Sequence, residues 1–465
     1  YFMPLPLVLI HGYSDKGQSF QRWKDIFIKS NSGYNENNVQ ICSYVSLSNE
    51  VTIKDIAEGF DRALKINTNI KDDEPFDAIV HSTGMLVLRS WLAVYGSERK
   101  QRVKHIIGIA PATFGSPLAH KGRSWLGAIF KGNREKGPDF MEAGDLVLDG
   151  LELGSKFTWE LTHRDVLNKT TTFYGADNDT PYLFAFCGDT PYRGLQGLIT
   201  GTPGTDGTVR WAGCTLNTRK IKLDFTVSVN DKIKNRYDVP VWSAEERLNL
   251  QMPFIPIRGL NHATILEAPS KELVDLVMQA LKVDSKESYL DWINIATRKT
   301  ADTLENMKGT YQQFIVHARD ERGDPITDFN LQLYQSINNP EPNEKKWKPV
   351  KMDVHTYSTD NSFRCFHINL KDIIKDDFKS LKAEFIASSG TALLGYMEYL
   401  EDDLNVEEME VHPTFTMDLS PLLHDSEVKF FYPFTTTLIE IILNREPLPA
   451  KQKNNVTWFL EDKSD

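Results

Sequence analysis

The sequence predicts an α/β fold: a mostly parallel, doubly wound sheet with a helical cap insertion, followed by a β-rich, sandwich-like C-terminal domain. Three observations carry that expectation. Short apolar runs alternate with helix-like runs from the N-terminus to Ala110. A stretch from about 115 to 175 then breaks the rhythm with apolar helical spacing and no strand-like alternation, too long for a loop. Beyond Gly309 the texture changes to short, often alternating runs rich in β formers. At 465 residues the chain is also long for a single core, so two domains are expected.

The elements follow in order. Leu5-Pro6-Leu7-Val8-Leu9-Ile10 reads as a buried strand that runs into His11-Gly12-Tyr13 and a polar turn. Phe20 to Ile28 has helical spacing, and Val39 to Leu47 reads as the next strand. Ile53, Ile56, Ala57, Phe60, Ala63 and Leu64 recur at intervals that put them on one helix face. Phe76-Asp77-Ala78-Ile79-Val80 is a strand, Met85 to Leu92 a helix, and His105 to Ala110 a further strand. Within the insertion, Trp125, Ile129, Phe130, Phe157 and Trp159 fit either the lining of an acyl pocket under a lid or a small core of the insertion's own. The sheet resumes at Tyr182 to Cys187 and ends at Pro253 to Ile257, with Lys271 to Leu281 as closing helix. A connecting helix is expected over 284–308. The domain boundaries are therefore 3–283 and 309–465, Tyr1 and Phe2 ahead of Met3 reading as the leftover of a tag. Phe314-Ile315-Val316, Phe329 to Leu333, Phe363 to Leu370 and Ile439-Glu440-Ile441 are the strands that mark the second domain.

Composition narrows the partners. A formal charge of −11 argues against nucleic acid, which needs a basic face. No apolar run approaches the ~20 residues that span a bilayer, so a transmembrane segment is not expected, although peripheral lipid contact stays compatible. Cys42, Cys187, Cys214 and Cys365 are scattered and form no CxxC pair, which favours buried thiols over disulfides or metal. With no secretory leader pattern, the expected setting is reducing and cytoplasmic. Neither a metal-ligand cluster nor a glycine-rich phosphate loop is evident, so no cofactor and no metal are expected.

The chemistry is concentrated in Val80-His81-Ser82-Thr83-Gly84, between a buried strand and a helix. A serine at such a turn is lifted clear of the backbone beside the amides of a helix N-terminus, which is the geometry of a nucleophile elbow. An ordinary strand-to-helix turn can also carry a serine, and Val80 stands where a small residue normally relieves crowding. An activated serine needs a base, a group to orient that base, and amide donors for an oxyanion. His262, in Gly259-Leu260-Asn261-His262-Ala263, follows the last predicted strand and is the candidate base. His11 belongs to the first loop, His81 is pinned beside the serine, His105 begins a strand, and His120 and His163 lie in the insertion. Asp206, in Gly204-Thr205-Asp206-Gly207-Thr208-Val209, is the favoured acid; Asp189, directly after the Tyr182 strand, is the alternative. The backbone amides of Tyr13 and Thr83 are the candidate oxyanion donors.

The order serine, acid, histidine, with the HGY, VHSTG, TDGTV and LNHA segments, resembles the α/β-hydrolase family and its lipase and esterase branch, over residues 4 to about 283. The resemblance implies a mobile cap and hydrolysis of a carboxylic ester, small-molecule or lipid, through an acyl-enzyme. By that likeness Ser82, Asp206 and His262 take the triad roles. An acyltransferase or thioesterase on the same fold, and a binding module without catalysis, are the alternatives.

Overall fold

A computed structural model describes residues 4–121, 144–192, 203–227, 237–238, 252–305, 309–338, 341, 343–373, 379–399, 413–424, 430–447 and 455–459, apart from 14, 16, 31 and 176–178. The chain forms two compact units, one of residues 1–218, 239–313 and 433–436, the other of 219–238, 314–432 and 437–465.

In the first unit, β1 (Leu7–Ile10), β2 (Val39–Cys42), β3 (Phe76–Ser82), β4 (Val103–Pro111), β5 (Tyr182–Gly188) and β8 (Phe254–Ile257) form a six-stranded sheet in the order β2-β1-β3-β4-β5-β8. Every pairing in it is parallel. Each expected strand appears, because a parallel sheet covered on both faces must be apolar on both. All seven residues of β3 and all four of β1 are buried. The polar exceptions are paired: His105 on β4 meets Asp77 of β3 through Nδ1 at 2.6 Å and the Val283 carbonyl through Nε2 at 2.5 Å.

The helices are α1 (Gln21–Lys29), α2 (Ile53–Asn67), α3 (Gly84–Tyr95), α4 (Ser97–Lys100), α5 (Asp145–Leu151), α6 (Lys156–Arg164), α7 (Thr264–Glu267), α8 (Lys271–Ala280) and α9 (Lys286–Glu305). Helix α2 starts where Thr52 and Asp55 satisfy each other's backbone N–H in a capping box. Strand order reverses between β1 and β3, since β2 lies outside β1 while later strands extend past β3. At such a switch point the carboxyl ends of the two central strands border an open crevice, the usual place for a ligand. Tyr13 lies in the loop after β1, and Ser82 is the carboxyl-terminal residue of β3.

The insertion is helical where it is described. Val147, Leu148 and Leu151 of α5 and Leu161 of α6 join the main core, Trp159 is buried, and Phe157 packs against the same cluster. Phe157 is only half-buried there. Trp125, Ile129 and Phe130 lie outside the described residues. A buried guanidinium fastens α3 to the end of α6: Arg89 donates Nε and Nη2 to the two oxygens of Asp165 at 2.8 and 2.9 Å, and Nη1 to the Thr113 carbonyl at 2.6 Å. The expected connecting helix packs in this unit as α9, where Tyr289 donates its hydroxyl to the Leu183 carbonyl at 2.8 Å and Trp292 meets Phe184 edge-on.

The second unit is β-rich. An antiparallel sheet runs in the order β11 (Lys348–Pro349), β10 (Asp328–Ser336), β14 (Ser380–Ser388), β16 (Thr414–Asp418). A larger sheet runs β12 (Asp353–Thr356), β13 (Phe363–Asn369), β9 (Tyr311–Asp320), β17 (Thr436–Pro447), β6 (Thr218–Asp224), β7 (Tyr237–Asp238), with β15 (Leu394–Met397) also on β17. Alternation is clearest on β16, where exposed and buried residues follow one another along all five positions. Phe329, Leu331 and Phe385 of the first sheet share one core with Phe314, Phe366, Ile439 and Ile441 of the second, as in a sandwich. Residues 219–224 join this unit although they lie within the span whose strands otherwise build the parallel sheet.

Candidate active site

Ser82 is the last residue of β3 and has φ of +51°, in the left-handed region that non-glycine residues seldom occupy. Thr83 follows as N-cap of α3. The chain turns this sharply because its neighbours lack side chains. A Cβ on Gly84 would stand 2.6 Å from the Ile10 carbonyl oxygen, and one on Gly12 2.9 Å from the Ser82 Cβ. Val80, the bulky residue before the elbow, pairs in register with Gly108 of β4. A Cβ on Gly108 would meet Pro111 at 2.7 Å and Met85 at 3.2 Å, so the small residue that makes room beside the elbow sits on the neighbouring strand.

His262 is fully buried. Its Nδ1 lies 2.7 Å from Asp206 Oδ2, and its backbone N–H donates to the Asp206 carbonyl at 3.2 Å. The other carboxylate oxygen of Asp206 accepts from the Thr208 and Val209 amides, both at 2.9 Å. That turn is tight: Gly207 has φ of +97°, and a Cβ there would stand 2.9 Å from the Tyr192 ring. The Ser116 hydroxyl, from the loop after β4, donates to the Thr208 carbonyl at 2.6 Å and fixes the turn from below. Asn261 shapes the histidine's own loop, its Oδ1 accepting from the amides of Ala263 and Thr264.

Asp189 does not meet His262 in this way. Its Oδ1 accepts the Gly259 N–H at 2.7 Å and the Thr190 hydroxyl at 2.8 Å, which anchors the loop leading to the histidine. Tyr13 follows Gly12 and Thr83 follows Ser82 in the chain, and both are buried.

Two further histidines crowd the site. His11 is buried and stacks on Tyr44 at 4.1 Å; its Nε2 accepts the Tyr44 N–H at 3.1 Å. Burial lowers its pKa, so the ring is neutral. His81, pinned beside the serine in sequence, places Nε2 3.0 Å from the His262 carbonyl. Burial and the nearby His262 hold its pKa well below the ordinary value. The sequence assigns no role in the site to His81, Ser116 or Asn261. Only the HS pair of the elbow and the NH pair of the histidine loop hinted at two of them.

The half-buried Cys42 and the buried Cys187 are not competing nucleophiles. Burial pushes Cys42 up to about 12 and Cys187 well above the ordinary thiol range, which keeps both protonated. Among the described residues no group of His, Cys, Asp and Glu is arranged to hold a metal ion, and no helix is long and apolar enough to cross a membrane.

A carboxylate on Nδ1 of a neutral imidazole puts the proton there and leaves Nε2 as a base. The His262 ring lies 4.7 Å from that of His81, the residue before Ser82.

No family model matches the sequence, and no curated protein matches it. Among solved structures, it is similar to phospholipase PlaB from Legionella pneumophila, at 22% identity and a TM-score of 0.74, covering 95% of this chain and 94% of that one. A structure of PlaB in complex with thio-NAD matches at 23% identity, the same TM-score and the same coverage. Lipase BlEst2 from Bacillus licheniformis, in its mature form, matches at 13% identity and a TM-score of 0.38, over 60% of this chain and 93% of that chain.

Proposed function

We propose that this chain, an α/β-hydrolase of the lipase and esterase branch by fold, is a serine hydrolase that cleaves carboxylic esters through an acyl-enzyme. The reading rests above all on the Asp206–His262 pair, a 2.7 Å contact buried on both sides, together with a serine at φ of +51°. His262 takes the Ser82 proton as the oxygen attacks the ester carbonyl, and the Tyr13 and Thr83 amides receive the oxyanion. The protonated His262 then releases the alcohol, and the same ring activates the water that frees the acid. Asp206, held by two backbone amides, keeps the ring in the tautomer that this cycle needs. A lipid ester is the favoured substrate class, supported by the fold shared with phospholipase PlaB over nearly the whole of both chains.

Ser82→Ala should abolish turnover of a p-nitrophenyl ester and labelling by a fluorophosphonate, while circular dichroism stays unchanged. Undiminished turnover in that variant sinks the proposal.

A further inference from the structure

Resting on the reading of Ser82 and His262 just given, we propose that His81 is a positioning residue whose Nε2–H, donated to the His262 carbonyl, holds the general base in register with the nucleophile. The bond spans 3.0 Å in a fully buried setting and joins positions 181 apart in the chain. A carbonyl only accepts, so the proton must sit on Nε2, and a neutral His81 carries none on Nδ1. Burial, the neighbouring His262 and His11 all disfavour a charge on the ring, which keeps that tautomer available across neutral pH.

The bond supplies a restraint that the carboxylate does not. Asp206 takes the His262 ring through Oδ2 and the His262 amide through its own carbonyl. Both contacts tie the base to the acid turn, and neither ties it to the elbow. His81 is covalently next to Ser82, so its bond connects the main chain of the base to the main chain of the nucleophile. The ring itself is wedged: a Cβ on Gly12 would stand 3.0 Å from His81 Nδ1, and the His262 ring lies 4.7 Å away at 42°. A base displaced by about 1 Å from its nucleophile can lose as much as about 100-fold in rate.

Two substitutions separate the donor from the ring. His81→Gln keeps an N–H near the position of Nε2 and loses the ring; His81→Phe keeps a ring and loses the donor. One sample of wild-type protein is tested for labelling by a fluorophosphonate, and kcat and KM for a p-nitrophenyl ester are measured on separate, unlabelled samples of all three. H81F should lose roughly 10- to 100-fold in kcat with KM within about twofold, and H81Q should recover to within about threefold of wild type. Thermal melts of the two variants within a few degrees of each other separate this from a loss of fold, and H81A replaces H81F if the latter does not melt cooperatively. Wild-type kcat in H81F, or equal impairment in both variants, overturns the positioning role. A wild type that fails to label overturns the reading of Ser82 itself, and the role of His81 with it.

Discussion

A carboxylate serves a histidine only where its oxygen lies in line with the ring N–H. Asp206 meets that condition, and Asp189 instead spends Oδ1 on the Gly259 amide. The two therefore respond differently to the same change. Asp206→Asn should lower kcat roughly 10⁴-fold, because an amide donor facing Nδ1 selects the wrong tautomer. Asp189→Asn should cost under about tenfold, since asparagine keeps a carbonyl acceptor for the Gly259 N–H. Steady-state kinetics on one ester checks both, and a reversed order would move the acid to Asp189. In sequence, both aspartates stand beside glycine and look alike. Their difference depends on which loop each one meets, 56 residues away for Asp206 and 70 for Asp189. Ser82 and His262 were easier to single out, because a strand before each and a helix after each are local features.

Elements position these residues through close backbone approach as much as through side-chain contact. At the start of α3, a Cβ on Gly84 would lie 2.6 Å from the Ile10 oxygen and 2.8 Å from that of His11, backbone atoms of the last residue of β1 and the one after it. Neither can yield without moving the strand. Gly84→Ala should destabilise the first unit by about 3 kcal/mol or more, at the upper end of overpacking, read as a lower urea midpoint. Gly59, in the middle of α2, is the opposite case, exposed and with no atom within 4 Å of a built Cβ. Gly59→Ala should stabilise by about 1 kcal/mol through helix propensity alone. A drop in midpoint for G59A, or none for G84A, contradicts the packing described. Both glycines are equally plain in sequence. Strands such as β3 were legible because continuous apolar runs of that length have few other uses, whereas β6, with its charged Arg219, Lys220 and Lys222, alternates too weakly to announce its sheet.

At the scale of the whole molecule, burial of imidazoles couples stability to pH. His11 and His81 both have folded-state pKa values below the ordinary value of about 6.5. The unfolded chain then binds protons that the native state refuses, so stability rises with pH through that window. The contribution is fully present above about pH 6.5 and lost as pH falls toward the depressed values. Asp55, Asp61, Asp179, Asp224 and Glu440, whose pKa values are lowered, lose their contributions only in the more acidic range. The melting temperature should therefore fall between about pH 7 and 5, and fall less in H81Q, which has one buried imidazole fewer. A wild type and an H81Q variant with parallel profiles would show that folding does not lower the pKa of His81. The sequence by itself determined the α/β alternation, the β-rich C-terminal texture and the elbow around Ser82. Those properties follow from side-chain spacing within a few residues, where the chain's own geometry leaves little choice. Tertiary structure alone decided that residues 219–224 join the second unit, that Asp206 faces His262, and that His81 reaches its carbonyl. Each is a meeting of segments far apart in the chain, and no local periodicity encodes which loops the backbone path brings together.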